Sequence, residues 1–204
     1  MVQTAHETKH VVILQGHPDP AGEHLCHALA DAYAAGAISK GCAVTTVTPA
    51  TLDFPLLRTQ EDYNEGDTPA SLKEAQQHVI DADHLLIVYP LWLGTMPALL
   101  KGFLEQIFRP SLMTSEPGRQ PTFAEVSSFM KGTSCRVVIT MGMPAAAYRF
   151  FFFALSLKNL ERNILKFVGI KPVRTSLFGL VDSASDAKRK SWLDEMHRLG
   201  KKGV

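Results

Sequence analysis

The hydrophobic pattern of this chain switches repeatedly between short continuous apolar runs and helical spacing. His10 to Gln15 is a β-branched apolar run, the signature of a strand buried on both faces. A turn-rich loop, Gly16 to Gly22, follows it. From Glu23 to Lys40 apolar residues recur at helical spacing (Leu25, Leu29, Tyr33), and Gly41 closes the helix. Ala43 to Thr48 alternates as a second strand, and Pro49 to Pro69 is irregular. Ser71-Leu72-Lys73-Glu74 reads as a capping box opening a helix to about Ala82. His84 to Tyr89 is a third strand. A helix then runs from Pro97, at a favoured first position, to about Phe108. Pro110 to Gly132 has little regular pattern, and loops of that length are usually lids or binding loops. Arg136 to Thr140 is a fourth strand. One long helix fills Ala147 to Val168, ended by Gly169; Pro172 to Leu180 is a fifth strand and Ser185 to Leu199 a charged helix.

Strand and helix thus alternate five times, which predicts an α/β domain with a parallel sheet covered by helices on both faces. Right-handed crossovers leave few topologies. The doubly wound order 2-1-3-4-5 brings the ends of the first, third and fourth strands around one crevice. The whole chain, 1–204, reads as a single domain, with residues 1–9 expected to be flexible.

Composition narrows the function. With 21 basic and 20 acidic side chains the net charge is +1, which argues against a polyphosphate track or a membrane surface as the main partner. Basic residues do not interleave with exposed aromatics, so nucleic-acid binding has no support. Cys26, Cys42 and Cys135 are widely spaced, with no metal-ligand pattern, which fits a reducing, cytoplasmic setting and no metal site. The apolar run Tyr148 to Leu155 is bracketed too closely by Arg149 and Lys158 to span a bilayer. Four successive phenylalanines, Phe150 to Phe153, cannot all face one side of a helix, so a second cover, a homodimer partner, is expected.

Three loops at strand ends carry the candidate chemistry. Gly16-His17-Pro18-Asp19-Pro20-Ala21-Gly22-Glu23-His24 is neither a dinucleotide fingerprint nor a P-loop, yet it delivers the chain to a helix start, where free N–H groups attract anions. His17 and His24 add side-chain donors; the alternative is a plain turn with solvated histidines. Tyr89-Pro90-Leu91-Trp92-Leu93-Gly94 offers a flat aromatic face to a flat ligand, unless Trp92 and Met96 merely cap the core. Thr140-Met141-Gly142 permits close approach of backbone to a ligand, and Tyr148 beyond it can hydrogen-bond developing negative charge or simply pack.

Together these loops resemble the NAD(P)H:quinone oxidoreductase family of flavodoxin-like flavoenzymes, over about His10 to Leu199. The run from Tyr89-Pro90-Leu91 through Pro97-Ala98-Leu99-Leu100-Lys101-Gly102-Phe103 carries the likeness most specifically. The resemblance implies FAD or FMN as a bound flavin, NAD(P)H as reductant, a quinone-type small-molecule acceptor, two-electron hydride transfer, and a homodimer. It implies that His17 helps hold the flavin phosphate, and the place of Gly22, Glu23 and His24 between the first strand and helix adds that turn to the same site, although the family often has Ser and Asn where Gly22 and His24 stand. It implies that Pro90, Leu91, Trp92, Leu93, Gly94, Thr140, Met141 and Gly142 border the ring, and that Tyr148 assists catalysis. Ala154 stands where the best-known quinone reductases have a histidine, so no Tyr–His relay is carried over. Two other readings are a flavin-binding regulatory subunit of a potassium-efflux transporter and a flavodoxin-type electron carrier.

Overall fold

In the computed structural model, which describes residues 8–114, 116 and 118–203, five strands form one parallel sheet of order 2-1-3-4-5. The strands are β1 (His10–Gln15), β2 (Ala43–Val47), β3 (His84–Pro90), β4 (Ser134–Met141) and β5 (Val173–Gly179). The helices are α1 (Leu25–Ile38), α2 (Gln60–Asn64), α3 (Lys73–Ile80), α4 (Ala98–Ile107), α5 (Phe123–Ser128), α6 (Leu155–Asn159) and α7 (Asp186–Lys202). The expected flexible lead falls largely on residues 1–7, which lie outside the described residues.

The apolar runs behave as two-sided strands must. Every residue of β3 is buried, as are all of β1 and β4 except their first residues. One face packs Leu14, Leu85, Ile87, Val137 and Ile139 against α3, α4 and the segment before β5. The other packs Val11, Ile13, Leu86, Val88 and Val138 against α1 and α7. Those two helices touch backbone to backbone. A Cβ on Gly36 would sit 2.1 Å from the His197 carbonyl oxygen, and one on Gly200 would sit 2.1 Å from that of Tyr33. Only glycine permits that approach.

Four sequence expectations need correction. The Ser71 capping box does not form: α3 has no side-chain cap, and the Ser71 hydroxyl donates to the Asp53 carbonyl 2.5 Å away. The working box is Thr122/Glu125 at the start of α5, inside the stretch expected to lack regular structure. Arg119 reinforces it by pairing with Glu125 at 2.5 Å, and with the Thr122 bonds this holds that carboxyl down at about 2. Pro97 precedes α4 as its cap rather than opening it.

The long helix is the largest revision. Residues 147–168 break into a π-helical turn at Ala147–Phe151, then α6, then a second π-helical stretch at Leu160–Leu165. Phe153 and Ala154 both take left-handed backbone, with φ of 53° and 48°. Tyr148 explains the break. Its carbonyl accepts from Ala154 N–H at 3.0 Å, and its hydroxyl accepts from Leu157 N–H at 3.1 Å and pairs with Ser156 Oγ at 2.8 Å. The chain between is looped outward, and Phe150 to Phe153 are all exposed, with Phe151 the most open at 76%.

His84 at the base of β3 is fully enclosed; Ser134 Oγ lies 2.7 Å from its Nδ1, and burial pushes its imidazole down to about 3. The unfolded chain binds a proton there near pH 6.5 while the folded chain does not. Stability is therefore full above about pH 6.5 and falls as pH drops towards 3, by up to about 1.4 kcal/mol per pH unit. Urea midpoints at pH 7.5, 6 and 5 should show that decline in the native chain, and His84→Leu should make it shallower, leaving the part due to His17 and His27.

Candidate functional site

The carboxyl ends of β1, β3 and β4 open into one crevice of about 410 Å³. Of the residues expected in a site it gathers His17, Glu23, His24, Pro90, Leu91, Trp92, Thr140, Met141 and Gly142. Leu25, Cys26, Val181, Asp182 and Arg189 complete the wall. Gly22, Leu93, Gly94 and Tyr148 lie outside that lining.

The β1–α1 loop is built around His17, which is 8% exposed. Its backbone N–H donates to Gln15 Oε1 at 3.3 Å, and its Nδ1 lies 3.2 Å from both the N–H and the carbonyl oxygen of Asp19. Asp19 organises the turn from the other side, accepting from Ala21 N–H at 3.0 Å and from His24 Nε2 at 2.8 Å; these bonds hold its carboxyl below the usual range. Gly22 supplies the left-handed residue, φ 84°, that this turn requires. The His17 and His24 rings stack at 3.9 Å, and His27 lies 5.6 Å and 5.8 Å from them. Burial, with Asp19 opposing and its histidine neighbours assisting, holds His17 below its ordinary pKa.

His24 caps α1 through its backbone alone, with no side chain over the first turn and no acidic residue in it. That helix start therefore favours negative charge. His24 Nε2 is committed to Asp19, so the side-chain donor left facing the crevice beside the start of α1 is His17 Nε2.

The second loop is a tight hairpin turn. Trp92 and Thr95 exchange backbone hydrogen bonds of 2.9 Å and 3.0 Å, and Leu93 and Gly94 between them have φ of 46° and 80°. Positive φ at both central residues is the type I′ arrangement, which glycine tolerates and leucine adopts under strain. The Leu93 side chain stands fully exposed at the tip. The Trp92 ring meets the His17 ring edge-on at 6.1 Å, so the aromatic loop braces the β1–α1 loop as well as edging the crevice.

β4 contributes the floor. Thr140 Oγ1 lies 3.2 Å from Cys26 Sγ, and burial pushes that thiol up to about 11, so it is a packing group. Gly142 has no side chain where a Cβ would come 3.0 Å from Asp182 Oδ2. Sequence reasoning missed Val181, Asp182 and Arg189; the rule that strand carboxyl ends face the ligand, applied to β5, points to them. Arg189 is folded over the β5–α7 loop, donating to the Val181 and Ala184 carbonyl oxygens at 3.2 Å.

Tyr148 is not at the crevice. It is 2% exposed and its hydroxyl is committed to Ser156 and Leu157, so the geometry makes it a strut of the aromatic segment. Among the described residues no cluster of three or more His, Cys, Asp or Glu side chains is arranged to hold a metal. No helix there is long and apolar enough to cross a membrane.

With this geometry in place, likeness to known proteins is informative. The sequence model of a family described as Flavodoxin-like fold matches residues 9–199. A protein of Haemophilus influenzae named uncharacterized NAD(P)H oxidoreductase is 28% identical over 144 residues, 69% of this chain and 68% of that protein. The curated relatives that match are spanned over 62% to 68% of their own length. The NAD(P)H:quinone oxidoreductase of Methanothermobacter marburgensis superposes with a TM-score of 0.76 at 21% identity, covering 96% of each chain. An FMN-dependent NADH-azoreductase of Bacillus anthracis, solved with FMN, gives 0.69 at 14% identity, covering 96% of this chain and 99% of that one.

Replacing Tyr148 by Phe removes the acceptor of a buried N–H. Tyr148→Phe should lower stability by about 1–3 kcal/mol in urea unfolding while leaving flavin affinity unchanged.

Proposed function

We propose that this chain, which belongs to the flavodoxin-like fold family, is a flavin-dependent NAD(P)H oxidoreductase that reduces quinones or similar acceptors by two-electron transfer. The observation that carries the reading is the convergence of the His17–His24 loop, the Trp92 loop and Gly142 on one crevice at strand carboxyl ends. The relatives' names point the same way: an NAD(P)H oxidoreductase by sequence, and a quinone oxidoreductase and an FMN-dependent azoreductase by fold.

The residues present fit a flavin. His17, with its Nε2 turned to the crevice, and the start of α1 without a side-chain cap suit its phosphate, and His24 stacks on His17 to hold it. Gly142 leaves the floor open where a side chain would crowd Asp182. Leu93 and Gly94, at the tip of their turn, offer backbone N–H groups beside the crevice rim. When bound, the flavin supplies hydride acceptance from NAD(P)H and hydride delivery to the second substrate. The chain's own part is to fix the phosphate, to border the ring with Trp92 and Leu91, and to direct backbone N–H groups around Gly142 at its polar edge. FMN fits the single compact donor set around His17 better than the longer FAD. A cytoplasmic setting is supported by the three unpaired cysteines.

Phe150 to Phe153 and Leu155, along one segment, leave much apolar side chain in solvent. A patch of that kind marks an interface, and we assign it to a second copy of this chain. Sedimentation at low micromolar concentration should give about twice the 22.4 kDa chain mass, and Phe151→Asp should shift it towards one.

The purified chain should retain or take up FMN and oxidise NADH or NADPH with a soluble quinone such as menadione. His17→Ala should weaken flavin binding by about 1.5–3 kcal/mol, roughly ten- to a hundredfold, in a fluorescence titration. Flavin binding with a partner protein but without turnover would instead favour a regulatory subunit. No flavin after reconstitution would end the proposal.

A further inference from the structure

The histidine cluster at the start of α1 does more than place donors. His17, His24 and His27 lie with ring centroids within 5.8 Å of one another. His17 is enclosed, yet its surroundings suit both of its protonation states. Nδ1 lies 3.2 Å from the Asp19 N–H, which donates to it when the ring is neutral. It lies 3.2 Å from the Asp19 carbonyl oxygen as well, which accepts from it when the ring is protonated. No loop movement is needed to exchange the two. Nε2 makes no hydrogen bond to any described residue, and the ring lines the crevice. A neutral ring bonded through Nδ1 to that N–H carries its proton on Nε2 and already offers one donor to the crevice.

We propose that His17 takes up a proton when a phosphate monoester docks in this crevice, so that phosphate binding is proton-linked and weakens as pH rises. This rests on the flavin reading above and adds a regulation to the same site. The proton comes from solvent onto Nδ1; the new N–H donates to the Asp19 carbonyl oxygen, and the Nε2–H donates to a phosphate oxygen. No bond of the ligand is made or broken.

The charges around His17 favour this division between empty and filled states. With no anion present, the enclosed ring faces two other imidazoles, and it is held neutral. His27 behind it has both ring nitrogens buried without a partner, and burial holds it below its ordinary pKa as well. Asp19 and Glu23 on the same loop are counter-charges, but Asp19 is engaged by His24 at 2.8 Å. Asp31 on α1 lies towards His27. Asp182 after β5 and Arg189 on α7 line the crevice and oppose each other in charge; β3 and β4 contribute only uncharged residues, Pro90, Leu91, Trp92, Thr140, Met141 and Gly142. A phosphate dianion is the charge that makes the imidazolium favourable. A site built on arginine or lysine stays charged throughout this pH range, whereas this one does not.

The test is calorimetry of the full chain with FMN, in HEPES and in Tris, whose ionisation heats differ, from pH 7 to 8.5. At pH 7.5 FMN binding should take up close to one proton, and the dissociation constant should rise about tenfold per pH unit. Riboflavin, which lacks the phosphate, should bind with no proton uptake and a flat pH profile. His17→Gln should still bind FMN, more weakly, with the uptake lost. FMN binding by the native chain without proton uptake overturns the proposal. So does uptake that persists in His17→Gln, which would put the proton on the phosphate or on another histidine. If neither FMN nor riboflavin binds, the flavin reading itself fails, and this inference fails with it.

Discussion

Everything in this molecule depends on three strands that are apolar on both faces. β1, β3 and β4 expose almost nothing, so each face of the sheet has to be covered by its own layer of helices. On one side the cover is tight enough that α1 and α7 meet through Gly36 and Gly200, with no room for a methyl group between them. Two-sided burial also decides where function can reside. A strand with no exposed face offers chemistry only at its ends, and parallel strands put their carboxyl ends on one side. The crevice lined by His17, Trp92 and Gly142 is that side.

The loops leaving those ends are held by interactions that also define their chemistry. Asp19 serves as both scaffold and counter-charge: its carboxylate fixes Ala21 N–H and His24, while its backbone serves His17. Trp92 then closes against the His17 ring across the crevice mouth. A loop with one acid serving several partners stays ordered without side chains filling the space a ligand needs. The strain at Leu93 and the open floor at Gly142 belong to the same economy of space. Leu93 does so through a left-handed backbone, and Gly142 by lacking the Cβ that would meet Asp182.

Strand positions and sheet order were legible in the sequence because continuous apolar runs have one good solution in an alternating chain. The crevice followed from topology, so His17, Glu23, His24, Trp92 and Gly142 were found without contacts being known. What failed was local. Ser71-x-x-Glu74 and Thr122-x-x-Glu125 have the same pattern, yet only the second is a capping box. Ser71 finds the Asp53 carbonyl instead, a partner 18 residues away that no local rule contains. Likewise the spacing of residues 147–168 is helical throughout, and the break arises from hydrogen bonds of Tyr148 to Ala154, Ser156 and Leu157. Periodicity reports which faces are apolar; it does not report a side chain that reaches forward nine residues.

That break ties the chain's main departure from the quinone reductase pattern to its surface. Position 154, where the resemblance places a histidine, is an alanine that is 5% exposed and left-handed. A larger side chain there would have to displace core. With no imidazole in reach, the Tyr148 hydroxyl pairs with Ser156 and Leu157, and this pairing closes the turn that pushes Phe150 to Phe153 outward. The alanine at 154 and the exposed aromatic surface therefore belong to one local structure. Apolar area that stays in water forgoes about 25 cal/mol per Å², so four exposed phenylalanines on a strained backbone leave stabilisation unused that a cover would recover. The hydrogen bonds of Tyr148 thus set both the left-handed turn at Ala154 and the exposure of Phe150 to Phe153.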